Sequence, residues 1–245
     1  MYNTFAKYYD VLMADVDYKA RVDYFYGIFC RFSKKPTLLL DLACGTGGIS
    51  NEFASRGISV IGVDISEEML SFAQEKSRAA GLDVMYLCQG AAELDLYGTV
   101  DGAVCCLDSL NHITDYKEFC RAIAKVSLFL EKDSLFIFDM NTTYKHKKVL
   151  GDNTFVIEEG DLYCVWQNAY YADERLTEIT LDFFERSGDS YIRSTENFFE
   201  RAYTDREVIA ALKAAGLELI AVYGDMKYAP PQRNEERKIF VAKKL

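Results

Sequence analysis

The segment Leu38-Leu39-Leu40-Asp41-Leu42-Ala43-Cys44-Gly45-Thr46-Gly47 constrains the fold of this chain more than any other. A short apolar run bounded by Pro36 on one side and two glycines on the other reads as a buried strand that enters a tight turn, with an acid near its end. A second apolar run, Ser59-Val60-Ile61-Gly62-Val63, ends in Asp64. In a doubly wound sheet the end of the second strand is where a carboxylate grips the two hydroxyls of a ribose. The pair therefore describes a nucleoside cofactor site.

The rest of the chain alternates strand and helix, as parallel βαβ units require. Aromatic and aliphatic residues three or four positions apart (Phe5, Tyr8, Tyr9, Leu12, Val22, Phe25, Phe29) predict helix over residues 2–32. Strands are expected at 37–42, 59–63, 84–88, 100–107 and 134–138, and helices at 48–55, 67–80 and 116–130. Ser66 is placed to cap the second of these helices and Gly81 to close it. Thr204-Asp205-Arg206-Glu207 reads as a capping box, followed by a helix to Ala215 and two last strands at 217–223 and 239–242, joined as a hairpin. Between Thr154 and Tyr203 the pattern changes to long alternating segments rich in aromatic and β-branched residues, with turn residues at Gly160, Asp173 and Gly188. These features predict an α/β fold: a doubly wound, seven-stranded, mostly parallel sheet with an antiparallel β insertion after the fifth strand. The expected division is N-terminal helices and cofactor-binding core (1–144), a β lid (145–203) and a C-terminal segment completing the core (204–245).

A chain of 245 residues suits one such domain with an embellishment. No apolar run approaches the ~20 residues that cross a bilayer, and the N-terminus carries no targeting pattern, so a cytoplasmic protein without a membrane partner is expected. Seven cysteines without a C-x-x-C pair read as reduced, mostly buried thiols, and two histidines are too few for a zinc cage. The net charge of -10 repels a phosphate backbone and argues against a nucleic-acid partner. The one basic run, Lys145-His146-Lys147-Lys148, reads as a solvated loop face.

A dinucleotide turn would read G-x-G-x-x-G, but the third position counted from Gly45 is Ser50. Instead, Asp41-Leu42-Ala43-Cys44-Gly45-Thr46-Gly47, with Val63-Asp64-Ile65-Ser66 and Met69, resembles the class I S-adenosylmethionine-dependent methyltransferases over about residues 37–140. The N-terminal Tyr8-Tyr9-Asp10 and Asp17-Tyr18 extend the resemblance to small-molecule enzymes, such as the sugar N- and glycine N-methyltransferases, that also carry a β-rich lid.

By that resemblance the cofactor is S-adenosyl-L-methionine. Asp41 would orient the turn and approach the cofactor's amino group, and the backbone at Ala43, Gly45 and Gly47 would pass close to its methionine moiety. Asp64 would hold the ribose, while Ile65 and Met69 pack on the adenine. The family often carries an acid in the turn after the third strand. Gly90, Ala91 and Ala92 supply none, so a backbone contact from Ala91 takes its place. Tyr9 and Tyr18 would close over the cofactor, and Leu107 would line the methyl-transfer channel.

His112 is the foremost general base, because an imidazole accepts a proton near neutral pH, with Asp108 as the alternative. A divalent cation on Asp108, Asp139 and Asn141 is not expected, since their spacing departs from that of metal-dependent O-methyltransferases. Cys105 and Cys106 read as strand side chains on opposite faces, and no nucleic-acid base-methylation signature follows the fourth strand. Trp166, Tyr170, Tyr171, Phe183, Phe184 and Phe198 divide between walling an acceptor pocket and packing the small sheet.

The expected activity is methyl transfer to a nitrogen or oxygen of a small-molecule acceptor by a monomer or homodimer. The alternatives are a tRNA or rRNA methyltransferase and a non-catalytic S-adenosylmethionine-binding protein.

Overall fold

The computed structural model describes residues 3–245. Helices α1 (Asn3–Leu12) and α2 (Tyr18–Arg31) precede strand β1 (Leu38–Leu42), followed by α3 (Gly48–Ala54), β2 (Ser59–Asp64), α4 (Glu67–Ala79), β3 (Val84–Cys88) and β4 (Val100–Cys105). Then come α5 (Tyr116–Phe129), β5 (Leu130–Asn141), four strands β6 (Thr154–Glu159), β7 (Leu162–Tyr171), β8 (Leu176–Ser187) and β9 (Ser190–Arg201), α6 (Asp205–Ala214), β10 (Leu217–Gly224) and β11 (Arg237–Lys244).

Seven strands form one sheet in the order β10-β11-β5-β4-β1-β2-β3, and β6–β9 form a separate antiparallel sheet. Within the large sheet β1 pairs in parallel with both β2 and β4, so the strand order reverses there and opens a crevice beyond their carboxyl ends. Only β11 runs against its neighbours β5 and β10. The central strands β1, β4 and β5 are buried on both faces, while the edge strand β3 is partly exposed. Leu40 and Leu42 join Phe119, Ile123, Val126 and Leu212 of α5 and α6 on one side, while Leu39 meets Phe25, Phe29, Ile49 and Phe53 of α2 and α3 on the other. The small sheet has its own core of Leu162, Cys164, Ile179, Leu181 and Phe183, completed by Tyr8 from α1.

Several expected boundaries move. The helical stretch over 2–32 divides into two helices with a break at residues 13–17: Asp17 caps α2 by accepting from the Ala20 N–H (2.8 Å), and Tyr2 lies outside the described residues. Strand β4 stops at Cys105 because Leu107 and Asp108 turn into the left-handed region (φ +61° and +54°). Strand β5 runs from Leu130 to Asn141 and β11 begins at Arg237, both longer than expected. The basic run at 145–148 is not a solvated loop. Residues Lys145–Leu150 form a wide helical turn closed by Gly151 N–H to the His146 carbonyl (2.8 Å), and His146 and Leu150 are buried while Lys147 and Lys148 are exposed.

Cys105 and Cys106 are both buried, one in each core of the large sheet, and burial pushes both thiols up, so neither is a nucleophile. All seven cysteines are free, with Cys44 and Cys164 also buried. No helix among the described residues is long and apolar enough to cross a membrane.

Candidate active site

A cavity of about 550 Å³ opens at the strand-order reversal. Its floor comes from the turns after β1, β2, β3 and β4, and its roof from Phe5, Tyr9 and Leu12 of α1, Met13 just beyond it, and Trp166, Leu181 and Phe198 of the small sheet. A second, much smaller cavity lies between Tyr9, Tyr18, Asp41, Thr46, Gly48 and Ser109.

At one end of the large cavity Asp64 accepts from the Gly45 N–H (2.8 Å) and the Ser66 N–H (2.9 Å). Burial raises its carboxyl while those two N–H groups pull it back. Each oxygen keeps lone-pair capacity toward the cavity. Gly45 takes φ +54°, and a β-carbon there would sit 3.9 Å from the Tyr9 ring, so Tyr9 covers this turn. Ala43 also adopts positive φ (+56°) without being glycine. Ile65 stands 68% exposed on the rim, Met69 is buried beneath it, and Ala91 and Leu107 complete the lining.

Three expected residues sit elsewhere. Gly47 is outside the cavity lining: a β-carbon on it would meet the Tyr86 hydroxyl at 2.5 Å and the Ala73 β-carbon at 3.0 Å, so this glycine lets α4 and β3 pack against the turn. Asp41 and Tyr18 line only the small cavity. Asp41 is buried, accepts from Ser50 Oγ (2.6 Å), and burial pushes its carboxyl up to about 7. The Tyr18 hydroxyl is buried without a hydrogen-bond partner among the described residues, and burial raises it to about 12. An orphaned buried hydroxyl beside an unfilled cavity is what a ligand's polar end would satisfy.

Sequence reasoning missed an acid. Glu93 lines the cavity, because the short turn Ala91–Glu93 folds it back so that its carboxylate lies over Gly90, where a β-carbon would collide with it. It also pairs with Arg121 (2.7 Å). The signal was an acid one residue beyond the turn positions considered.

At the other end Asp108, His112, Asn141, Lys145, Glu200 and Arg237 face the cavity. Arg237 bridges Asp108 (2.6 Å) and Asp139 (2.5 Å), and Asp139 accepts from the Leu107 and Asp108 N–H groups (2.9 and 2.6 Å), fixing the left-handed turn. Burial would raise the Asp108 carboxyl, but Arg237, Lys145 and His112 outweigh it and hold the group below the usual carboxylate range. Asp108 also accepts from Asn141 Nδ2 (2.6 Å). So paired, it is a poor proton acceptor.

His112 is one-third exposed, packs against the Phe198 ring (centroids 5.1 Å apart) and directs Nε2 at Glu200 Oε1 (3.6 Å). Asp108, His112 and Glu200 offer ligand atoms within 4.8 Å of one another, but the Arg237 guanidinium already occupies the cationic place beside Asp108. Arg237 and Glu200 carried no motif that marked them as site residues, and Lys145 and the buried His146 stood in a basic run read as a solvated loop face. Of the six insertion aromatics, Trp166 and Phe198 line the cavity, while Phe183 packs against Tyr8 (5.0 Å) in the small core.

Fold and cavity together define a Rossmann-like α/β protein whose pocket opens where the strand order reverses. A methyltransferase-domain family matches residues 39–128. YqeM of Bacillus subtilis (strain 168), a protein named as a methyltransferase, is 33% identical over 245 residues, covering 100% of this chain and 97% of its own. The crystal structure of an S-adenosylmethionine-dependent methyltransferase from Clostridium acetobutylicum superposes with a TM-score of 0.90 at 32% identity, covering 99% and 98% of the two chains. The sugar N-methyltransferase KedS8 from Streptoalloteichus shares the fold (TM-score 0.77, 18% identity, 95% and 92% covered). The chain belongs to the S-adenosylmethionine-dependent methyltransferases, and S-adenosylmethionine is its cofactor.

Proposed function

We propose that this enzyme methylates a nitrogen or oxygen of a small-molecule acceptor held beneath the β6–β9 sheet, with His112 as the base. The observation that carries this reading is the continuity of one cavity from Asp64 and Met69 to His112 and Phe198 under the roof of α1 and the small sheet. A cofactor bound at the first end faces an acceptor at the second, in a space of the size that small ligands fill.

S-adenosylmethionine supplies a methyl group already activated on a sulfonium, so the protein's share is positioning, exclusion of water and removal of a proton. Asp64 would hold the ribose, Ile65 and Met69 would flank the adenine, and the Ala91 backbone with the Glu93 carboxylate would meet its edge. Asp41 and the orphaned Tyr18 hydroxyl would take the polar end of the cofactor in the small cavity, with Tyr9 closing over Gly45. Leu107 and Phe198 would shape the passage between the two ends. His112 accepts the acceptor's proton, while Asp108, ion-paired with Arg237, holds the turn that carries it. Residues 145–203 act as a lid over the acceptor. Sugar N-methyltransferases of the same fold are compatible with an amine acceptor.

The test combines calorimetry with S-adenosylhomocysteine and mass spectrometric detection of methyl transfer to panels of amines, hydroxyl compounds and unmodified tRNA. Micromolar binding with turnover of a small amine or hydroxyl compound is expected. Turnover of tRNA alone would replace the small-molecule reading, and binding without any turnover would point to a non-catalytic role.

A further inference from the structure

Glu200 is a buried acid for which the structure provides no settled counter-charge. It is 4% exposed, and no Lys or Arg nitrogen lies within 4 Å of its carboxylate among the described residues. Asn141 Nδ2 donates to Oε2 (3.2 Å), a single neutral bond. Burial and the neighbouring charge of Asp108 push the Glu200 carboxyl up, as an undercompensated acid requires. A buried carboxylate left this way is costly unless a positive charge forms beside it.

The ionisable groups that face Glu200 come from three elements besides its own strand. From the turn after β4 there are Asp108 and His112, from the segment after β5 Lys145 and His146, and from β11 Arg237. Arg237 is consumed by Asp108 and Asp139, and the Lys145 ammonium donates to Asn141 Oδ1 (3.0 Å).

His146 is unsuited as the partner. Its ring is wholly buried, its Nδ1 is held at Thr177 Oγ1 (2.8 Å), and its Nε2 stands 3.8 Å from Glu200 Oε2, beyond hydrogen-bond reach. Burial also pushes this imidazole down to about 4. The remaining partner is His112. Its Nε2 points at Glu200 Oε1, Phe198 packs against its ring, and its Nδ1 has no bonded partner among the described residues.

We infer that Glu200 is the positioning residue of the base: its carboxylate faces Nε2 of the His112 ring at ion-pair range, leaves Nδ1 open to the acceptor, and supplies the negative charge that the imidazolium meets. The proposal rests on the reading of His112 as base. The acceptor's N–H or O–H proton moves to Nδ1, and the ring, now carrying a proton on each nitrogen, is cationic 3.6 Å from a carboxylate. The arrangement parallels the acid that orients a catalytic histidine in hydrolases, reached here from a strand of the inserted sheet.

The chain has only two histidines, so their imidazole signals can be followed one by one. Wild type, Glu200→Gln and Glu200→Asp would be compared by NMR of 13C-labelled histidine across pH 4.5–9, with the His112 signal assigned by its loss in His112→Asn. Removing a carboxylate at this range moves an imidazole titration midpoint down by about one pH unit. Glu200→Gln is expected to show that shift at His112, Glu200→Asp to recover at least half of it, and S-adenosylhomocysteine affinity to stay within threefold in both.

An unmoved His112 midpoint in Glu200→Gln with intact cofactor affinity overturns the inference while leaving the methyltransferase reading in place. Loss of cofactor affinity together with a collapsed spectrum would mark Glu200 as structural only, which also overturns it. If a shared metal ion were the true partner, adding Mg2+, Mn2+ or Zn2+ would broaden or displace the His112 signal in wild type alone, again against the inference. Where an acceptor is in hand, Glu200→Gln should lower kcat at least tenfold with KM within threefold and move the acid limb of the kcat profile in step with the NMR midpoint.

Discussion

Asp64 spends each oxygen on one backbone N–H and still faces the cavity, so a single carboxylate shapes the turn after β1 and, in the proposed binding mode, accepts from the ribose. Two hydrogen bonds to a charged group are worth about 3–6 kcal/mol together. Asp64→Ala should therefore weaken S-adenosylhomocysteine binding at least 100-fold by calorimetry, and an affinity within threefold of wild type would remove the ribose role.

Asp41 yields a prediction about pH. Burial lifts its folded carboxyl to about 7 from an ordinary 3.8, so the folded state binds more protons than the unfolded one between those values. The sign follows: the contribution of Asp41 to stability is fully present below about pH 4 and is lost as pH rises through 7, a swing on the order of 4 kcal/mol. Asp41→Asn, which keeps an oxygen for Ser50, should gain stability relative to wild type between pH 5 and pH 8 in urea unfolding. A difference that does not change with pH would show that Asp41 ionises freely in the fold. Both aspartates were legible in the sequence because each ends a strand whose apolar run is local. Glu93 and Glu200 were not, since a one-turn fold-back places the first and a distant strand pairing places the second.

The turn after β4 is an element built against local preference. Leu107 and Asp108 are consecutive left-handed residues, neither of them glycine, and each such residue costs about 1–2 kcal/mol. What holds them is Asp139 from β5, which accepts from both N–H groups and is in turn neutralised by Arg237 and Arg21. Nothing between residues 105 and 112 announces this, so the sequence reading ran β4 on to Leu107. Arg237→Met would leave Asp108 and Asp139 without their shared guanidinium, a change that costs about 3–5 kcal/mol at buried sites. In a domain of this size that lowers the thermal midpoint by about 10 °C. A midpoint within 2 °C of wild type would show that the pair is dispensable. The helical turn at 145–150 was misread for a related reason: its charges mark only its exposed side, while His146 and Leu150 are drawn inward by contacts that a composition cannot show.

At the scale of the whole molecule α1 joins the two sheets. Tyr8 packs on Phe183 and donates to Glu185 (2.7 Å), Tyr9 covers Gly45, and Asp10 accepts from Thr46 Oγ1 (2.7 Å) and Lys76 Nζ (2.8 Å). A ligand that orders the turn at 43–47 should therefore order α1 as well. Hydrogen exchange with S-adenosylhomocysteine is expected to slow at both segments in parallel, and protection of 43–47 with α1 unchanged would uncouple them.

The sequence by itself determined the α/β alternation, the inserted β segment and the turn after β1 with the acids Asp41 and Asp64 beside it. Those follow from strand periodicity, glycine turns and strand-terminal acids that lie within a few tens of residues and obey backbone rules alone. Only the tertiary structure decided the opposite end of the cavity, where the β11 register against β5 brings Arg237 opposite Asn141 and β9 carries Glu200 to His112. Arg237 meets an aspartate 129 residues earlier in the chain, and no local pattern can encode a contact whose geometry is set by how two sheets and a helix pack together.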